Sequence, residues 1–124
     1  MNYLIDTHVL LWWLTDNPRL NSQCREILRY KSVWCSVVSL WEIAIKQQIG
    51  KISIPETFFN DVKAHGFIWL EVQFNHIEAL HRLPFHHKDP FDRMLVAQAY
   101  IEELALITAD KNISRYNIPI LRPG

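Results

Sequence analysis

Glycine is scarce, three in 124 residues, and no two of them lie close together. That excludes a phosphate-cradling loop of the P-loop or dinucleotide kind, which needs glycines so that backbone amides can approach the phosphates. Cysteine is equally sparse: Cys24 and Cys35 sit in apolar surroundings and form no CxxC pair. They read as two reduced, buried thiols rather than a disulfide framework. No charge of one sign prevails, with 13 Lys and Arg against 13 Asp and Glu. Without a global basic field, a nucleic-acid substrate would have to be held by local patches and by metal. No apolar run is long enough to cross a bilayer, because Asp6, His8 and Glu42 interrupt the longest ones. No basic segment followed by an apolar one precedes the first strand at Asn2, so no signal peptide is expected and the expected location is cytoplasmic.

What the chain does have is apolar mass. Hydrophobic residues make up 49%, including five Trp and six Phe, which excludes disorder and suits one domain, 1–124, around one core. Short apolar runs alternate with helical segments. Asn2 to Ile5 reads as a strand, His8 to Leu14 as a helix closed by Asp16-Asn17-Pro18, and Asn21 or Ser22 caps a helix to about Tyr30. Ser32 to Cys35 is a second strand. Ser36 caps a helix that runs to Gly50. Pro55 opens a helix to about Ala64, Phe67 to Val72 is a third strand, and Asn75 caps a short helix from Ile77 to His81. Asp89-Pro90 starts a helix to about Glu103. Ala105 to Thr108 is a fourth strand, a short helix follows Asp110, and Pro119 to Leu121 is a late edge strand. The strands are apolar on both faces, which indicates a doubly wound α/β/α domain with a central, mostly parallel sheet.

In such a sheet, ligands bind beyond the carboxyl ends of the strands. Asp6 and Asp110 follow strands there, and Glu42 and Asp92 lie early in helices, each beside a strongly apolar segment. Carboxylates next to a core are costly unless paired, solvated or bound to a cation. Each also has an ordinary explanation. Asp92 falls at N3 of its helix, Asp110 can cap the helix after the fourth strand, and Glu42 can pair with Lys46 at i,i+4. Asp89 reads as a helix cap. The joint pattern fits one acidic site holding Mg²⁺ or Mn²⁺ with positions left open for water and phosphate. His86-His87 lacks a second His or Cys set at zinc spacing and reads as a solvated loop. With Lys88 and Arg93, these histidines form a local basic cluster that could hold a phosphate backbone.

Four segments resemble the motifs of PIN-domain nucleases, with the VapC-type toxins of bacterial toxin–antitoxin pairs as the nearest kind. They are Leu4-Ile5-Asp6-Thr7-His8, Ser39-Leu40-Trp41-Glu42-Ile43, Asp89 through Ala99 (DPFDRMLVAQA), and Thr108-Ala109-Asp110. The resemblance spans nearly the whole chain, and the third block is its most specific part. It implies an Mg²⁺- or Mn²⁺-dependent endoribonuclease whose metal-holding catalytic acids are Asp6, Glu42, Asp92 and Asp110. Thr7, Thr108 and Asp89 would be supporting residues, and Lys46, Lys88 and Arg93 would meet the RNA. It further implies a small antitoxin partner and a homodimer of toxins.

Two other functions fit parts of the sequence. Leu4-Ile5-Asp6-Thr7 matches half of an aspartyl-phosphate phosphatase motif, although His8 stands where the second acid belongs. A non-catalytic module binding RNA or protein would use the fold without needing all four acids. The segment Val9 to Leu14 is apolar around nearly its whole circumference, which leaves it either buried or available to a partner helix.

Overall fold

The apolar runs form five short parallel strands in the order β3-β2-β1-β4-β5. They are β1 (Tyr3–Ile5), β2 (Val33–Ser36), β3 (Ile68–Leu70), β4 (Ala105–Ile107) and β5 (Ile120–Leu121). This is a computed structural model and describes residues 1–124. The connecting helices are α1 (Thr7–Leu14), α2 (Ser22–Tyr30), α3 (Val37–Gln48), α4 (Phe58–His65), α5 (Phe74–Arg82) and α6 (Pro90–Glu102), and a 3-10 turn spans Ile113–Arg115.

Side chains alternate across a strand, so each central strand feeds two cores. Ile5, Cys35 and Ile107 join Val9, Leu10 and Leu28 on one face. Leu4 and Leu106 join Leu95, Val96 and Ala99 of α6 on the other. The register sets Ile5 beside both Cys35 and Ile107. The chain ends of three neighbouring strands therefore finish level at one edge. The order reverses at β1, which has β2 on one side and β4 on the other, the kind of switch point at which open α/β sheets bind ligands.

Several boundaries differ from the sequence expectation. Helix α4 begins at Phe58 because Pro55 to Thr57 form a turn closed by the Phe58 N–H on the Pro55 carbonyl, 3.0 Å. Helix α5 begins at Phe74 rather than near Ile77. Gln73, not Asn75, is its cap, and the buried His76 accepts the Gln73 N–H on Nδ1 at 2.9 Å. Asp110 does not cap the 3-10 turn; Asn112 occupies that position. The Ser36, Asn21 and Asp89 caps are as expected, each side chain accepting a backbone N–H of its helix. Gly50, at φ +79°, follows the end of α3 in the left-handed region, where a side chain would be strained. Both thiols are buried and unpaired. No helix is long and apolar enough to cross a membrane.

Candidate metal centre and nucleic-acid site

Asp6 leaves β1 directly into α1 and is almost fully buried. One carboxylate oxygen caps α1 by accepting the Val9 N–H at 2.8 Å, and the other accepts the Thr108 hydroxyl. Burial raises its pKa above 3.8 against the pull of these two bonds and of His8, and Glu42 adds to the rise. Glu42 is also buried, on the second turn of α3. Its Oε1 accepts the Thr7 hydroxyl at 2.6 Å and its Oε2 accepts Lys46 Nζ at 2.6 Å. Ser39 Oγ lies 3.2 Å from the same Thr7 hydroxyl.

Asp92 stands in the first turn of α6, where Asp89 caps the helix by accepting the Asp92 N–H at 3.0 Å. Its pKa is pushed up to about 7, first by burial and then by the negative charges of Asp89, Glu42 and Asp6, with His87 opposing. Asp110 lies just past β4. Its Oδ1 accepts the Asn112 N–H at 2.7 Å, and its own N–H donates to Thr108 Oγ1 at 3.1 Å. The structure thus brings the acids of β1, α3, α6 and the β4 turn to the carboxyl edge of the sheet. The Thr7 hydroxyl holds Glu42, and the Thr108 hydroxyl holds Asp6 and accepts the Asp110 N–H.

His87 stands differently from the expectation of a solvated loop and a basic cluster. Its loop is not simply solvated. Nε2 lies 2.8 Å from Asp92 Oδ2 and 3.2 Å from Asp110 Oδ2, joining the two acids. The Asp89 N–H approaches Nδ1 at 3.4 Å, which makes Nδ1 the acceptor and puts the proton of a neutral imidazole on Nε2. His87 is therefore built as a donor to the carboxylates, although the three groups are close enough to share an ion. A metal-ligating histidine instead turns its second nitrogen to an acceptor. The signal lay in position: the residues just before an N-cap pass over the helix's first turn.

The remaining expected contacts divide. Lys46 is committed to Glu42, and its pKa is raised first by that bond and further by Asp89 and Asp92. Lys88 is exposed beside the site. Arg93 differs from the expectation of a phosphate contact. Its guanidinium donates to the Pro84 and Leu80 carbonyls and to the Tyr116 hydroxyl, and it stacks over Phe85 with 4.7 Å to the ring centre. It braces the α5–α6 loop that carries His87.

The donors available to an ion are carboxylate oxygens, the set a hard divalent cation takes, and the chain's nearby cations do not offset them. Asp92 is raised to about 7 first by burial and then by its like-charged neighbours, and a bound cation would offset both. The residues present fit such an ion.

The family model for the PIN domain matches residues 3–119. No curated protein matches the sequence. Among solved structures, the chain is similar to VapBC2 from Rickettsia felis bound to a DNA fragment from its promoter. The TM-score is 0.76 and the identity 14%, covering 98% of each chain. It is also similar to DNA-bound VapBC from Salmonella typhimurium, with TM-score 0.75 and 16% identity over 100% of this chain and 99% of that one. A toxin–antitoxin complex from Klebsiella pneumoniae gives TM-score 0.69 and 19% identity over 99% and 98%.

Proposed function

The chain belongs to the PIN-domain family, and from that premise we propose that it is a metal-dependent endoribonuclease, the toxin of a toxin–antitoxin pair. The observation that carries the reading is geometric: Asp6, Glu42, Asp92 and Asp110, from four separate segments, gather at the carboxyl edge of the sheet, held there by Thr108, Thr7 and His87. Asp6, Glu42, Asp92 and Asp110 would hold the ion. Bound there, Mg²⁺ or Mn²⁺ would supply an activated water and charge screening at the scissile phosphate.

The protein's own groups prepare that chemistry. Thr7 and Thr108 aim the carboxylates of Glu42 and Asp6 by donating to one oxygen of each. Asp89 caps α6 and so presents Asp92. His87 joins Asp92 to Asp110. Lys88, exposed next to Asp89 in the chain, and Lys46, paired with Glu42, would meet the RNA backbone, and Arg93 holds the loop that places His87. No side chain is required as a covalent nucleophile.

The partner reading follows from the neighbours. One similar structure is a toxin–antitoxin complex, and two others are VapBC proteins bound to DNA. A small antitoxin is proposed by that likeness, and a homodimer of this chain by the resemblance of its motifs to the VapC-type toxins. The test is incubation of purified protein with a mixed RNA pool. Cleavage should appear with Mg²⁺ or Mn²⁺ and vanish with excess EDTA; undiminished cleavage in EDTA, or none with either ion, would refute the reading.

A further inference from the structure

A cavity of about 460 Å³ lies between α5, α6 and the 115–118 turn, within the range of small-ligand sites. Two consecutive residues link it to the acidic site. His86 lines the cavity, whereas its neighbour His87 reaches Asp92 and Asp110. The wall is tied together by Tyr116, whose hydroxyl accepts the His87 N–H at 3.1 Å and whose ring meets His86 edge-on at 5.1 Å. Half of the lining is apolar, Tyr100 and Tyr116 contribute aromatic surface, and Asn75 and Asn117 contribute amide groups. Arg82 and Arg115 line it with a single acid, Glu78, in a chain whose net charge is zero.

We propose that this cavity is a nucleobase subsite, which receives a base of the single-stranded RNA flanking the phosphate at the acidic site. The inference rests on the ribonuclease reading above. Recognition of single-stranded RNA combines aromatic stacking, hydrogen bonds to base edges and cationic contacts to the backbone, and this cavity supplies all three. The excess of cations sets the occupant apart from an apolar peptide. Its place beside the acids makes it a selector of which phosphate is cut.

The experiment uses Tyr100→Ala and, separately, Arg115→Ala. Both side chains are exposed, so the fold should tolerate their loss. Binding of short RNA oligonucleotides is measured by fluorescence anisotropy in EDTA, which removes cleavage from the readout. A series carries one abasic position at a time. Wild-type protein should lose affinity at one position, by roughly five- to a hundred-fold, the scale of a single base stack. In Tyr100→Ala that same abasic position should make little further difference, and Arg115→Ala should weaken every oligonucleotide with a smaller dependence on salt. If the wild type binds and cuts RNA but no abasic position matters, or if the variants respond as wild type does, the subsite is wrong and the nuclease reading stands. A variant that alters only the oligomeric state or antitoxin binding likewise overturns the subsite. If wild-type protein neither binds nor cuts RNA, both readings fall.

Discussion

Thr108, at the end of β4, donates its hydroxyl proton to the buried Asp6 carboxylate at the end of β1, 102 residues away in sequence. The same oxygen accepts the Asp110 N–H at 3.1 Å, so one hydroxyl sets the position of two acids. Thr108→Val keeps the shape and removes the donor. Loss of a buried hydrogen bond to a charged group should cost roughly 1.5–3 kcal/mol, read as a lower melting temperature together with weaker metal binding. Thr108→Ser should restore both. A Val variant that binds metal normally would show that the hydroxyl orients nothing.

Neutralising the acids should separate activity from stability. Asp6→Asn, Glu42→Gln, Asp92→Asn and Asp110→Asn are each expected to lose most RNA cleavage while remaining folded. Two like charges ~4 Å apart repel by roughly 4 kcal/mol at an effective dielectric near 20, so removing one relieves the metal-free fold. Circular dichroism melts alongside cleavage assays decide this. Unfolded variants would make the acids structural caps and pairs instead. Asp89→Asn should be milder, since Asn caps a helix nearly as well.

Asp92, held near 7 against an ordinary 3.8, and Asp6, also raised, bind a proton more tightly folded than unfolded. The contribution of Asp92 to stability is fully present below about pH 3.8 and is lost as pH rises through about 7, and Asp6 acts in the same direction. In EDTA the melting temperature should therefore fall across that window, and Asp92→Asn should fall less. Near neutral pH, Mn²⁺ or Mg²⁺ should restore stability, by about 2.7 kcal/mol at a hundredfold excess over Kd. A chelated protein that gains stability across the window, with no difference in the Asn variant, would contradict the coupled acid cluster.

His87→Ala removes the donor that joins Asp92 to Asp110. Groups that orient ligands in this way typically contribute 10- to 100-fold to metal affinity or activity, so a loss of roughly that size is expected. His87→Gln, which keeps a donor, should lose less. Equal losses, or unchanged calorimetric metal binding in both, would assign His87 to the loop alone.

Trp12 and Trp13 are half-buried and pack against the core cluster of Ile5, Val9 and Leu10. Trp13 meets His65 edge-on at 5.5 Å, and the Arg19 guanidinium lies 5.9 Å from the Trp12 ring centre. Fully buried Trp→Ala changes cost 3–5 kcal/mol, so each should cost on the order of 2 kcal/mol here. If one variant melts like wild type and selectively loses antitoxin binding, that ring belongs to the interface rather than the core.

The two-faced apolar strands were enough to indicate a parallel sheet, because only helices on both sides can bury such strands. Asp6, Glu42, Asp92 and Asp110 were legible for a related reason: a carboxylate set beside a core segment stands out against the cost of burying it. The Asp89 and Ser36 caps follow from local chemistry that needs no distant residue. Tertiary structure alone decided the rest. That Thr108 would hold Asp6, that His87 would join two acids, and that Arg93 would turn to Leu80, Pro84 and Tyr116 depend on contacts between separate elements. The flexible side chains of His87 and Arg93 each had several partners within reach. Packing of the α5–α6 loop against Tyr116 chose among them, and no periodicity or spacing encodes that choice.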